Sequence, residues 1–135
     1  MDLASGRDDY TFEEWLKMDN NEKLELIDGT IYMKGDPSRR HQKVSTNLIV
    51  ELGTFLKRKK CELYHDPFMV QLSKETVVRP DISVICDENK FTDRGCVGAP
   101  DLIGDYEFTV YRKNDIIPVY VLPDCKIDLS IIFPK

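Results

Sequence analysis

The chain lacks the features that place a protein in a membrane or outside a cell. No apolar run approaches the roughly 20 residues that a membrane-spanning helix needs. The opening MDLASGRDDY has no basic region followed by an apolar stretch, the pattern a signal peptide requires. The expected compartment is therefore the cytoplasm, with no membrane partner. Cysteine is sparse and scattered: Cys61, Cys86, Cys96 and Cys125 form no CxxC and no CxxxC. This spacing excludes the clustered thiolates of a structural zinc site. Without a secretory context it also argues against a disulfide framework, and the four read as reduced thiols, mostly buried as small apolar groups. Internal repeats and low-complexity linkers are missing too.

What remains is an ordinary globular balance. The 135 residues are 41% apolar and 32% charged, enough for one domain that folds without staples. Residues 1–9 read as a flexible polar leader and residues 10–135 as a single domain. Net charge is −5, unevenly spread. Residues 1–33 hold three basic and nine acidic side chains, whereas residues 34–60 hold eight basic and two acidic. The basic segment fits a local phosphate-facing patch. Its last part, Lys57 to Lys60, fits equally well as the complement of a helix's negative end.

Local patterns alternate between helix and strand. Thr11 is suited to cap a short helix with Glu13 and Glu14 in its first turn and Trp15 and Leu16 on its apolar side. KLELIDGTIYM at 23–33 reads as strand, tight turn at Asp28-Gly29, and strand. Residues 38–60 form the clearest helix, with Val44, Leu48, Ile49, Leu52, Phe55 and Leu56 in one stripe. CELYHDPFMVQLS at 61–73 reads as a strand made irregular by Pro67, and TVVRPDISVICD at 76–87 as a second. Residues 90–100 read as a loop, 101–115 as a strand region, and Asp128-Leu129-Ser130 as a short terminal turn. Mixed helices and strands define an α+β (α/β-like) class with a central sheet.

The most pointed chemistry is Pro80-Asp81, which sets a carboxylate at the start of an apolar strand. Such a group is costly there unless it is partnered, capped or bound to a metal. Downstream, Asp101, Asp105 and Glu107 sit on the next strand region, and Asp105 and Glu107, two residues apart, share a strand face. Carboxylates converging from neighbouring strands are what a magnesium-dependent phosphodiesterase needs: hard oxygen ligands with positions left for water and phosphate. The alternative is a half-solvated strand whose acids face water.

The order of these segments resembles a known family. YTFEEWLKM (10–18), KLELIDGTIYMKGDPSRRHQKV (23–44), CELYHDPFMVQL (61–72), VVRPDISVICD (77–87), GCVGAPDLI (95–103) and VYRKNDIIPVYVLPDCKIDLSIIF (110–133) are similar to the Uma-type restriction endonuclease family of bacteria, long filed as a domain of unknown function. The resemblance implies a restriction-endonuclease-like mixed central sheet flanked by helices. It also implies a Mg2+ (or Mn2+) site of the P-D, acid-x-lysine class acting on DNA.

Carried over by position, Asp81 is the strand aspartate and metal ligand. Glu25 matches a recurrent acid on the sheet near the site, and His41 the histidine that opens the long helix. Asp105 falls at the family's second acid and is the second expected metal ligand, with Glu107 beside it. Arg39, Arg40, His41, Lys43, Lys57 and Lys59 are the expected DNA contacts.

After Ile103 the pattern departs. Several dozen residues are missing relative to the family, and the family lysine has no equivalent except, by position alone, Lys113. The departure implies loss of part of the sheet and one helix, and an exposed edge that favours a homodimer. Two readings stay open: a metal-dependent DNA endonuclease, and an inactive module of the same fold that binds DNA or protein.

Overall fold

A computed structural model describes residues 2–104 together with two short strands at 116–118 and 126–128. In chain order the elements are β1 (Asp2–Leu3), α1 (Phe12–Leu16), β2 (Leu24–Ile27), β3 (Thr30–Met33), α2 (Arg39–Leu56), β4 (Glu62–His65), β5 (Met69–Gln71), β6 (Val77–Val78), β7 (Ile82–Ile85), β8 (Gly95–Val97), β9 (Leu102–Gly104), β10 (Ile116–Pro118) and β11 (Lys126–Asp128). The class is α+β with mixed sheets, as the alternating patterns imply. Six strands lie in the order β1-β3-β2-β6-β5-β8, three in the order β4-β7-β9, and β10 pairs with β11. The pair β5–β8 is parallel, and the others are antiparallel. Among the described residues no helix is long and apolar enough to cross a membrane.

Local chemistry explains the N-terminal third. Thr11 caps α1 by accepting from the Glu14 amide at 3.4 Å. α1 presents Trp15, fully buried against Leu26, Ile31, Met69 and Val77. The indole Nε1–H donates to the Leu24 carbonyl at 3.1 Å, so the burial leaves no orphaned donor. Asp28 and Gly29 both take positive φ, 47° and 83°, as a two-residue hairpin turn demands. Residue 29 must also be small, because a Cβ there would lie 2.4 Å from the Asp8 carbonyl oxygen. In the segment read as a leader, β1 adds to the sheet edge with Leu3 opposite Tyr32, and Arg7 pairs with Asp9 and Glu14.

α2 buries Val44, Leu52 and Leu56 against Ile82 and Val84, with Leu48, Ile49 and Phe55 alongside. This is the stripe expected from periodicity. The helix is shorter than the expected 38–60: it stops at Leu56, and Arg58 sits in the left-handed region at φ 61°. Lys57 to Lys60 are all exposed, so no apolar face is left to hold a further turn on the sheet.

The two long strand segments each break at a proline and change sheet. The 61–73 segment becomes β4 and β5, parted at the cis Asp66-Pro67 bond. The 76–87 segment becomes β6 and β7, parted at Arg79-Pro80-Asp81. Proline has no amide for the ladder, and both breaks fall at the seam between the six-stranded and three-stranded sheets. Phe68, Val70, Ile85 and Cys96 form the core that bridges the two sheets.

The cysteines correct the expectation of four reduced thiols. β4 runs antiparallel to β7 with Glu62 opposite Ile85, so Cys61 and Cys86 face each other one step outward and form a disulfide. Cys96 is a buried free thiol, and burial pushes its pKa up. Cys125, the strand region from Asp105 onward and the expected terminal turn at Asp128-Leu129-Ser130 lie outside the described residues, apart from β10 and β11.

Candidate active site

The seam between the sheets opens into a cleft of about 1130 Å³, lined by Glu25, Lys34, Arg40, His41, Asp66 and Asp81 among others. Asp81 directly precedes β7, and its side chain is 13% exposed. His41, the third residue of α2, brings Nε2 to 3.1 Å from Asp81 Oδ2. Ser38 fixes that end of the helix by accepting from the His41 amide at 3.0 Å. His41 thus joins helix capping to the site in one turn.

Glu25 approaches from the other sheet. Alternation along β2 sends Leu26 into the Trp15 core and turns Glu25 to the opposite face. There it is 5% exposed and lines the cleft. Its Oε2 accepts the Arg79 backbone N–H at 2.7 Å. A buried carboxylate taking a backbone amide is a strong, short contact, and it holds the chain two residues ahead of Asp81.

Arg79 is a hub that sequence reasoning missed. Its guanidinium donates to the Asn21 carbonyl and to Asn21 Oδ1, both at 3.2 Å, and to the Pro67 carbonyl. It also stacks 5.1 Å from the centre of the Trp15 ring. Burial pulls its pKa below the usual arginine value, with Asp66 opposing that shift. Its carbonyl accepts from Lys34 Nζ, and Lys34 pairs with Asp66 Oδ1 at 3.2 Å. The Asp66 amide donates to the Asp81 carbonyl at 3.2 Å. The arginine of R-P-D and the aspartate of D-P-F were the only sequence hints to this network.

The remaining expected residues are distributed as follows. Arg39, Arg40 and Lys43 are exposed on the first turns of α2, with Arg40 on the cleft wall. Lys57 and Lys59 lie past the other end of that helix, about 24 Å away at 1.5 Å per residue. Asp101 turns to structure: its carboxylate accepts the Cys86 amide at 2.7 Å, at the end of β7 remote from Asp81. Asp105, Glu107 and Lys113 lie outside the described residues. β9 pairs antiparallel with β7 and ends with Gly104 opposite Ile82, the residue after Asp81. Among the described residues no three His, Cys, Asp or Glu side chains gather closely enough to hold a metal ion together.

This mixed α+β architecture is the fold of a solved protein. That structure is described as "a putative nuclease belonging to DUF820" from Anabaena variabilis ATCC 29413. It superposes with a TM-score of 0.70 over 91% of this chain and 97% of that chain, at 15% identity. The Uma2 family, described as "Putative restriction endonuclease", matches residues 9–126, and the chain belongs to that family. No curated protein matches the chain.

Proposed function

We propose that the chain is a metal-dependent DNA endonuclease whose centre is Asp81. The observation that carries this reading is the convergence on Asp81. His41 reaches it from α2, and Glu25 clamps the preceding strand. β9 returns along β7 so that Gly104 lies opposite Ile82. Asp105 is the next residue in the sequence. It is the natural second carboxylate, with Glu107 as the neighbouring candidate. Asp81 with one more carboxylate fits Mg2+ or Mn2+, which bind through one or two carboxylates and keep sites for water and phosphate. A bound ion would polarise the phosphoryl group and make water acidic enough to attack.

The chain's own residues do the rest. Asp81 supplies the ligand oxygen, and His41 orients it. Glu25 fixes the backbone that presents it. Arg39, Arg40 and Lys43 meet the phosphate backbone beside the positive end of the α2 dipole. The expected place of work is the cytoplasm, where DNA is the substrate, and a homodimer would bring two such clefts to one duplex.

A second reading has one observation in its favour. Asp81 is held by its contact with His41 Nε2, an arrangement that also suits a non-cleaving module for DNA or protein. Supercoiled plasmid distinguishes the two. Under the first reading it is nicked with Mg2+ or Mn2+, spared with a chelator, and nicked again when the ion is restored. Under the second it is bound and left intact.

A further inference from the structure

We infer that Lys34 is the cation that meets the scissile phosphate in this cleft, and that Asp66 positions it; the inference rests on the nuclease reading above. Lys34 follows β3 directly, and its side chain is 20% exposed, so the ammonium is largely drawn off the surface. Two of its three donors are committed, one to Asp66 Oδ1 and one to the Arg79 carbonyl. One anchor, Arg79, belongs to the segment that presents the aspartate, and the other, Asp66, is hydrogen-bonded to it. Arg79 is two residues from Asp81, at most about 7 Å of chain. The Asp66 amide bonds the Asp81 carbonyl. Lys34 lines the same cleft as Asp81. Among the described residues nothing takes the third ammonium donor, which we assign to the ligand.

The chemistry needs a positive group at that place. In hydrolysis, water forms a new bond from its oxygen to phosphorus and gives up a proton. One P–O ester bond breaks, and the departing oxygen takes up a proton. Negative charge on the phosphoryl oxygens rises in between, and a pre-oriented ammonium lowers the energy of that charge without reorganising. Lys23 and Arg40 also line the wall, but both are exposed. Lys34 is the one tied by both of its contacts to the Asp81 segment. The anchoring pair joins residues 32 apart in sequence, which is why no local motif announces it.

The test compares the parent, K34Q, K34R, D66N and D81A in single-turnover nicking of supercoiled plasmid with Mg2+. Binding to a short duplex is measured separately in EDTA. K34Q is expected to slow cleavage about 100-fold or more while changing duplex affinity less than about threefold. K34R is expected to recover much of the rate, and D66N to lose about tenfold. D81A abolishes cleavage.

A K34Q protein that cleaves like the parent overturns the role of Lys34 and leaves the nuclease reading intact. Loss of duplex binding by K34Q in proportion to its loss of rate overturns that role equally. A parent that never cleaves overturns both, and that outcome is recognisable without any variant. If K34Q fails to fold by circular dichroism, K34R and D66N decide the matter: parental rates in both overturn the inference.

Discussion

His41 Nε2 lies 3.1 Å from Asp81 Oδ2, across 40 residues of sequence and between a helix start and a strand start. The two groups come from elements that meet through core packing away from the pair itself. α2 packs on β4 and β7 through Val44, Leu52 and Leu56, and that packing delivers the helix N-terminus to the sheet seam. The core therefore positions the site.

The contact predicts how a His41 variant behaves. Partners that orient a metal-binding carboxylate are worth about 10–100-fold in affinity or activity. H41A should keep the fold and need about 10-fold or more Mg2+ to reach half its maximal nicking rate. A metal titration of plasmid nicking checks this. An unchanged Mg2+ dependence would mean that His41 does not orient Asp81.

Glu25 should be a stability residue as well as a site residue. Its carboxylate accepts the Arg79 amide in a buried position. E25A leaves that donor without its acceptor, at a cost of about 1–3 kcal/mol. E25Q keeps an acceptor oxygen and should cost less. Urea unfolding followed by circular dichroism measures the difference, with E25A as the less stable of the two.

The basic groups should not contribute equally to DNA binding. Arg39, Arg40 and Lys43 cluster on the first turns of α2 near the cleft, whereas Lys57 and Lys59 lie past its far end. Each phosphate contact adds about 0.9 to the salt slope of duplex binding. Replacing Arg39, Arg40 and Lys43 by Gln should lower that slope by about 2–3. Replacing Lys57 and Lys59 should lower it by less. Fluorescence anisotropy across a salt series, in EDTA, provides both numbers.

The Cys61–Cys86 bond closes a loop with a sequence separation of 25. Chain entropy alone assigns such a link about 3–4 kcal/mol of stability. A C61A/C86A protein, or the parent kept in reductant, should unfold at correspondingly lower urea. In a reducing compartment the pair is expected as thiols. Mass spectrometry of the intact chain, with and without reductant, reads the bond directly.

Much of this fold was legible from local sequence, for reasons that are themselves local. Asp28-Gly29 reaches positive φ and forces the hairpin. The α2 stripe buries the residues its period selects, and Thr11 caps where a hydroxyl precedes Glu13 and Glu14. The sheet change at Pro67 and Pro80 was only half legible. A proline marks a ladder break, but nothing nearby says that the two halves of a strand join different sheets.

The site followed the same division. Asp81, His41 and Glu25 were reached through pattern and resemblance, and the structure places all three on one cleft. Arg79, Lys34 and Asp66 were missed because their bonds join residues 12 to 58 positions apart. Their side chains read locally as ordinary surface charges. The cysteine pairing failed for the same reason, since it depends on the β4–β7 register rather than on spacing along the chain.

The most direct test of the central claim is plasmid nicking with Mg2+ by the parent and by D81A, purified side by side and both shown folded by circular dichroism. The account predicts nicking by the parent that a chelator stops and that D81A reduces by at least about 1000-fold, since removing a metal ligand removes the activated water with it. Equal nicking by the two folded proteins, or none by the parent at any Mg2+ or Mn2+ concentration, would contradict it.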